Sequence, residues 1–565
     1  MVAGFLPPYK TNDLEPELSK NTANGQDRIL LIELSPSVPN LGRFLVMPRF
    51  GLLAIASILA EKTRYRVKLL FEPYTGPITP ESVAAENPRY VMLNGLTTTS
   101  WENETFVGRF RELTRGTVPV ITGGEHASMF PESARRYSDF IFAHEGDEGV
   151  LSLLEALEQG DPLTRDSLLS RVPGLHYRGP DGAWKFNAGA ARIKEIDYRY
   201  DLSVVEGAEQ ASKRFRTACM PVQTSRGCTY CCSFCSWLTL YGKSGYYVRP
   251  IDDVIHDIVH TVEYTGIRDF IVTDNLFAGD PAYAEELAFR LKRTFEGREP
   301  KPRLTVLMRA DQFAGGPGAL SDRLIRMLAD AGMANVSLGL ESISSTSLLQ
   351  MNKKADLPMY YLASERLRKH GIGMLATFVA GFDGDRYEDV VNISEFSDRF
   401  GLFTSQVYAR SITSGTVDDL MNGQRILHGA MDRYRNGHGV WFMPAQMLPS
   451  ELQHAIFDSC FRFHKGGGAS RKLALRAFQA IWAGMQPHYE ALRRVEREVL
   501  VPEGIYRESV TGGYMLASKA LNALYTDEER YGNFQARCAR IFLEAEPGHR
   551  TSPVPFPQAN AASMA

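Results

Sequence analysis

The chain has 565 residues, a hydrophobic fraction of 44% and a net charge of −3, an ordinary globular composition with length for about three or four domains. The near-neutral balance gives no general pull toward nucleic acid or an anionic membrane, and no apolar run approaches the ~18 residues of a membrane span. The N-terminus lacks a basic stretch followed by an apolar core, so no signal peptide is expected. Cys228, Cys231, Cys232 and Cys235 crowd together out of 7 cysteines, which reads as a metal site in a cytoplasmic protein rather than a disulfide framework.

Residues 1–27 are polar and predict a loose tail. From residue 28, strand patterns at 28–34, 66–73, 89–96, 118–122 and 140–143 alternate with helical spacing at 49–62, 78–87, 102–115, 131–137 and 147–159. Short buried strands separated by helices predict a parallel, doubly wound, Rossmann-like α/β domain over 28–165. Its ligand belongs at the carboxyl ends of the strands, in loops 35–48, 96–101, 123–130 and 144–148. No G-x-G-x-x-G follows the first strand, so a dinucleotide is not expected. Gly123 and Gly124 let the backbone approach a ligand closely, and Thr97, Thr98, Thr99, Ser100 and Ser128 offer hydroxyls. Glu145, Asp147 and Glu148 also suit a solvated helix start. His126 reads as a structural loop residue.

Residues 166–215 form a polar linker with one hairpin around 179–182. Met220, Pro221 and Val222 then end a strand, and the next loop carries Cys228-x3-Cys232-x2-Cys235. Three thiolates on one short loop suit three irons of a cubane. Such clusters usually take four cysteines, so one iron stays open, and an open metal position is where chemistry happens. A structural zinc site would need a fourth ligand, and Cys219, Cys460 and Cys538 make no second pair. Cys231 allows a competing frame, Cys228-x2-Cys231-x3-Cys235. Strands at 269–273, 304–308, 335–340, 374–379 and 405–409 follow, with helices at 251–265, 282–295, 321–331, 359–369 and 389–400. With the strand before Cys228 they make a partial, TIM-type (β/α)6 barrel over 216–420. Functional side chains of such barrels lie at the strand C-terminal ends: here Asp274 and Asn275, Arg309 and Asp311, Ser337, Glu341 and Ser342, Gly381 and Asp383.

The cysteine spacing, with Phe234 before the last cysteine, resembles the radical S-adenosylmethionine (SAM) enzymes. In that family the open iron holds the amino and carboxylate groups of SAM, and an electron from the cluster splits SAM to methionine and a 5′-deoxyadenosyl radical. The resemblance implies a [4Fe-4S] cluster on Cys228, Cys232 and Cys235. It implies SAM against Phe234, Asp274, Arg309, Ser337 and Glu341; the segment Ser-Leu-Gly-Leu-Glu-Ser at 337–342 resembles one whose Ser and Glu contact SAM. Arg309 would pair the SAM carboxylate and Glu341 its amino group or ribose. The N-terminal sheet, above all residues 123–157, resembles the cobalamin-binding domain of cobalamin-dependent radical SAM enzymes. That likeness implies a corrin over the strand ends, near Leu96, Thr97, Thr98, Gly123, Gly124, Glu125, Ser128, Glu145 and Gly146. The cobalamin motif D-x-H-x-x-G is absent, so no histidine ligand to cobalt is expected; a residue near 96–98 would face its lower side.

Residues 421–550 read as mainly helical, followed by a tail at 551–565. Leu475, Phe478, Trp482 and Met485 recur at helical spacing and suit a core. Tyr434, His438, Trp441, Phe442, Phe461 and His464 are candidates for a substrate pocket, though each alone also suits a core. The resemblance as a whole implies a C-methyltransferase acting on an unactivated carbon of a small molecule. One SAM would convert the cobalamin to methylcobalamin and a second would supply the radical, with flavodoxin or ferredoxin as electron donor. The site would lie where the strand ends of both sheets face each other. Two other readings stay open: a cyclase or rearrangement enzyme like the magnesium-protoporphyrin ester cyclase, without net methyl transfer, and a cobalamin-binding sensor with a vestigial cluster.

Overall fold

The computed structural model describes residues 27–37, 45–188, 196, 198–241, 245–315, 318–410, 425–427, 438–509 and 513–545. The N-terminal sheet contains β1 (Arg28–Glu33), β2 (Arg66–Phe71), β3 (Tyr90–Asn94), β4 (Val120–Gly123), β5 (Phe140–Phe142), β6 (Leu175–Arg178) and β7 (Trp184–Phe186), in the order β2-β1-β3-β4-β5-β6-β7. Strands β1 to β5 pair in parallel, and β6 and β7 add an antiparallel edge. The apolar run of β1 is explained by burial on both faces. Ile29 and Leu31 pack with Leu52, Leu53 and Leu59 of the helix Phe50–Lys62. Leu30 and Ile32 pack with Phe106, Val107 and Phe110 of the helix Ser100–Thr114.

The described residues of the connector after β7 are packed. Tyr198, Tyr200, Leu202 and Val204 are buried, and the Tyr200 amide donates to Asp257 Oδ1 at 2.8 Å on the helix Ile251–Thr265. Its alternating apolar residues find a surface on the second sheet's first helix, which a composition reading does not register.

The second sheet holds β8 (Met220–Val222), β11 (Asp269–Val272), β12 (Arg303–Met308), β13 (Met333–Glu341), β14 (Gly373–Ala380) and β15 (Thr404–Ala409). Its order β15-β14-β13-β12-β11-β8 places each strand beside its predecessor, and all pairs are parallel. That is the partial barrel expected from the β/α rhythm. Between β8 and β11, β9 (Ser225–Gly227) pairs antiparallel with β10 (Tyr246–Val248) and brackets the cysteine loop. Strand β13 shows how the barrel is lined. Val336, Leu338 and Leu340 are fully buried, whereas Asn335 and Ser337 stand on a half-buried polar face, where Asn335 donates to Thr305 Oγ1 of β12 at 3.2 Å.

Beyond β15 the described chain is mainly helical. The helix Pro449–Lys465 packs on the helix Tyr387–Phe400 and on β15, covering the end of the barrel sheet. A short hairpin of β16 (Tyr506–Glu508) and β17 (Tyr514–Leu516) interrupts the helices.

Candidate active site

The cysteine loop starts from a forced turn. Gly227 has φ +105°, and a Cβ there would lie 2.2 Å from the Gly245 carbonyl oxygen, so only glycine lets β9 and β10 meet in front of Cys228. None of the cysteines forms a disulfide; Cys232 is buried and Cys228, Cys231 and Cys235 are half-buried. Segment 350–353 clamps the loop: Ser233 N donates to the Met351 carbonyl at 3.1 Å, Ser233 Oγ to that of Gln350 at 3.0 Å, and Asn352 Nδ2 to that of Cys231 at 2.9 Å. Phe234 meets Phe382, just past β14, edge to face at 6.1 Å.

Two cations stand beside these thiols. Arg309, at the end of β12, pairs with Asp311 through Nε and Nη2, and its Nη1 lies 3.5 Å from Cys232 Sγ. Lys353 is buried and its Nζ donates to Glu341 Oε1 at 2.8 Å. Burial raises the Cys228 thiol above its ordinary value, with the Tyr230 amide, Arg309 and Lys353 pulling against it. Among the described residues no three His, Cys, Asp or Glu side chains converge on a single-ion site. A cubane does not ask for that, because each thiolate takes its own iron. Three thiols on one half-buried loop flanked by cations fit an anionic cluster.

The other residues considered for SAM are distributed unevenly. Glu341 ends β13 at a strand irregularity with φ +66°, a backbone strain typical of functional positions, and its carboxylate faces Lys353. Ser337 is on the same strand, about 13 Å lower at strand rise. Asp274 is buried, and both its oxygens are taken by Thr224 and Ser225; burial raises its pKa to about 6. It anchors the strand that leads into the cysteine loop, and Asp383 pairs with Arg425.

The N-terminal sheet faces this loop across a cleft with about 1120 Å³ of empty space, part of it open to solvent. Its floor comprises Met92, Leu93, Ile121, Gly123, Gly124, Phe142 and Gly146, and the barrel side supplies Gln223, Arg226, Trp237, Thr273 and Asn275. Gly124 has φ +109° and no room for a Cβ, with Asn94 Oδ1 at 2.8 Å, whereas a Cβ on Gly123 would find only Phe142 Cβ at 3.7 Å. The floor above Gly123 is therefore bare backbone that a broad, flat group can approach.

Charged ties cross the cleft. Arg226, two residues before Cys228, places Nη1 3.2 Å from Glu145 Oε1 and Nη2 3.3 Å from Asp147 Oδ1. On the far side of the cysteines, Ser236 Oγ donates to Glu125 Oε1 at 2.9 Å. Ser128 knits the N-terminal loops, donating to the Gly124 carbonyl and accepting from the His144 amide at 2.8 Å. Thr97 Oγ1 lies 3.1 Å from Nδ1 of the fully buried His126, so His126 is structural. Leu96 and Thr98 line a second cleft between β1 and β3 with Glu33, Ser35 and Arg49. Asn94 borders both clefts.

The described C-terminal candidates lie in the core or against it. His438 Nδ1 is 2.9 Å from the Val407 carbonyl, His464 Nδ1 is 2.7 Å from that of Cys460, and Trp441 packs on His488 and Phe542. Phe442 is buried and Phe461 packs on Phe457; Tyr434 lies outside the described residues. The sequence reading did not single out Arg226, Lys353 and Asn352. Arg226 carries a signal, its place two residues before the first cysteine; Lys353 and Asn352 carry none.

Residues 222–397 match the radical SAM superfamily. The chain carries a radical SAM domain. An uncharacterized methyltransferase of Pyrococcus horikoshii is 25% identical over 65% of this chain and 77% of its own length. The anaerobic magnesium-protoporphyrin IX monomethyl ester cyclase of Rubrivivax gelatinosus is 23% identical, covering 54% of each chain. Bacteriochlorophyllide d C-12(1)-methyltransferase of Chlorobaculum tepidum is 30% identical over 46% of this chain and 55% of its own. The chain thus spans little more than half of the last two. In fold, it is similar to the cobalamin-dependent SAM radical enzyme OxsB, with TM-score 0.60 and 15% identity over 93% of this chain and 81% of that one. It is likewise similar to the radical SAM methyltransferase TsrM of Kitasatospora setae, with TM-score 0.55 and 18% identity over 68% of this chain and 75% of that one. In this chain the radical SAM domain is joined to a second α/β sheet, and the chain is an enzyme. No helix among the described residues is long and apolar enough to cross a membrane.

Proposed function

We propose that this chain is a cobalamin-dependent radical SAM C-methyltransferase acting on a small molecule. The observation that carries the reading is the cleft between the strand ends of both sheets, with the cysteine loop at its border. Its enclosed volume, about 310 Å³, lies within the range of small-ligand pockets, and the cleft continues into solvent, which leaves room for a larger group to protrude. Cys228, Cys232 and Cys235 hold a [4Fe-4S] cluster. Phe234 and Glu341 would hold SAM beside it, and Gly123, Gly124 and Gly146 would receive cobalamin. When bound, the cluster and SAM supply a hydrogen-abstracting radical and cobalamin supplies a methyl group.

The chain's own part is positioning and exclusion of water. Arg226 with Glu145 and Asp147, and Ser236 with Glu125, hold the two halves at one spacing. Leu93, Ile121 and Phe142 give the cleft an apolar floor, which helps to protect a reactive carbon centre from side reactions. The domains proposed are 28–165 for cobalamin, its sheet continued by the β6–β7 hairpin, 216–420 for the radical chemistry and 421–550 as a helical cover, with a cytoplasmic location and flavodoxin or ferredoxin as electron donor.

A second reading has its own support: curated relatives in Rubrivivax gelatinosus and Synechocystis carry the cyclase name. In that reading the cleft serves radical chemistry without net methyl transfer. The experiment that separates them is anaerobic turnover of the reconstituted protein with methyl-labelled SAM, followed by mass spectrometry. Label in a product together with S-adenosylhomocysteine and 5′-deoxyadenosine supports the methyltransferase. 5′-Deoxyadenosine without label transfer supports the cyclase reading, and absence of both cleavage products sinks the two together.

A further inference from the structure

The guanidinium of Arg309 is locked on three sides. Asp311 takes Nε at 2.9 Å and Nη2 at 3.0 Å, the Lys353 carbonyl also accepts from Nη2, and Cζ lies 3.7 Å from the centre of the Tyr230 ring. The remaining arm, Nη1, is aimed at Cys232 Sγ, 3.5 Å away. Its side chain is only 7% exposed. A planar fork fixed in this way has little freedom to swing toward a ligand carboxylate.

We propose that Arg309 is a positioning residue of the cluster: its Nη1 donates to the Cys232 sulfur and favours the reduced state. The inference rests on the cluster reading above. One-electron reduction adds negative charge to the cluster, and a buried cation with an N–H directed at a ligating sulfur stabilises the reduced form more than the oxidised one. Asp311 offsets part of that charge, and Tyr230 and Lys353 fix the direction. Arg309 thus acts on the electron that enters rather than on the SAM carboxylate.

The test uses the full chain, reconstituted with iron and sulfide, as wild type, Arg309→Met and Arg309→Lys. The cluster is titrated anaerobically with dithionite and followed by electron paramagnetic resonance, and SAM binding to the oxidised cluster is measured by calorimetry. Arg309→Met is expected to shift the midpoint potential to more negative values and Arg309→Lys to shift it less, with the SAM Kd within about twofold of wild type. An unchanged midpoint overturns the proposal, and a SAM Kd raised more than about tenfold with that midpoint makes Arg309 a SAM ligand instead. If Arg309→Met does not take up iron, Asp311→Asn decides. It keeps the cation and removes its countercharge, so the midpoint is expected to rise, and an unchanged or lower value overturns the proposal. A wild type that takes up no iron sinks the cluster reading itself, a result distinct from any of these.

Discussion

Arg226 Nη1 lies 3.2 Å from Glu145 Oε1, and both side chains are less than a tenth exposed. The pair joins the loop after β5 to the strand that delivers Cys228. Asp147 shares the same guanidinium, and Gln223 accepts a further bond from it at 3.1 Å. The contact between the two sheets thus carries a desolvated charge cluster at the edge of the proposed site.

Removing Arg226 takes a buried cation from beside two carboxylates. A buried pair broken on one side costs about 3–5 kcal/mol. Arg226→Met is therefore expected to lower the denaturant midpoint and to reduce iron retained per chain after desalting. Arg226→Lys keeps the charge but not the fork and falls between. Iron content equal to wild type in both variants contradicts a role in holding the cysteine loop.

The cysteine frame is separable by substitution. Cys231 is held through its carbonyl, which accepts from Asn352, so Cys231→Ala keeps that contact. Cys232→Ala removes a proposed ligand and the sulfur beside Arg309. Iron and sulfide analysis is expected to show cluster loss in Cys232→Ala and retention in Cys231→Ala; the reverse pattern would establish the frame through Cys231.

Two adjacent glycines are expected to behave differently. Gly124→Ala forces a Cβ against Asn94 Oδ1 at φ +109°, a combination that costs at least about 1 kcal/mol. Gly123→Leu meets only Phe142 near its Cβ and projects into the cleft. Thermal unfolding should show the loss in Gly124→Ala. Visible-absorbance titration with hydroxocobalamin should show weaker binding in Gly123→Leu. Normal cobalamin affinity in that variant removes the cleft floor from the cofactor site.

Burial holds His438 down to about 4. Its folded pKa lies below the unfolded value of about 6.5, so the unfolded chain takes up the proton first as pH falls. The stability tied to the neutral ring is present above pH 6.5 and is lost between 6.5 and 4, up to about 3 kcal/mol. Glu33 and Glu496, raised by burial to about 7, act in the opposite direction in an overlapping window, so the wild-type profile is a sum. The difference between wild type and His438→Gln isolates the ring. Its destabilisation at pH 7 is expected to shrink toward pH 4, and a pH-independent difference would contradict a neutral buried His438.

Much of the architecture is local in origin. The apolar runs of β1 and β3, the alternation on β13 and β14 and the helical spacing between them each follow from which faces are buried, and burial periodicity is written in consecutive residues. The cysteine triplet is legible for the same reason, since all three ligands share one short loop. The partners of the charged side chains had to wait for the folded chain. The sequence alone left Glu145 between a cobalamin contact and, with Asp147, a solvated helix start, and Arg309 as a partner for a carboxylate. Folding brings Arg226 onto the first pair from 79 residues away, and places Arg309 against Cys232 and Lys353 against Glu341. A strand's period is fixed by its own backbone geometry, but a charge has no period. Its role depends on which group the tertiary fold sets opposite it, out of water, where an unpaired charge is costly.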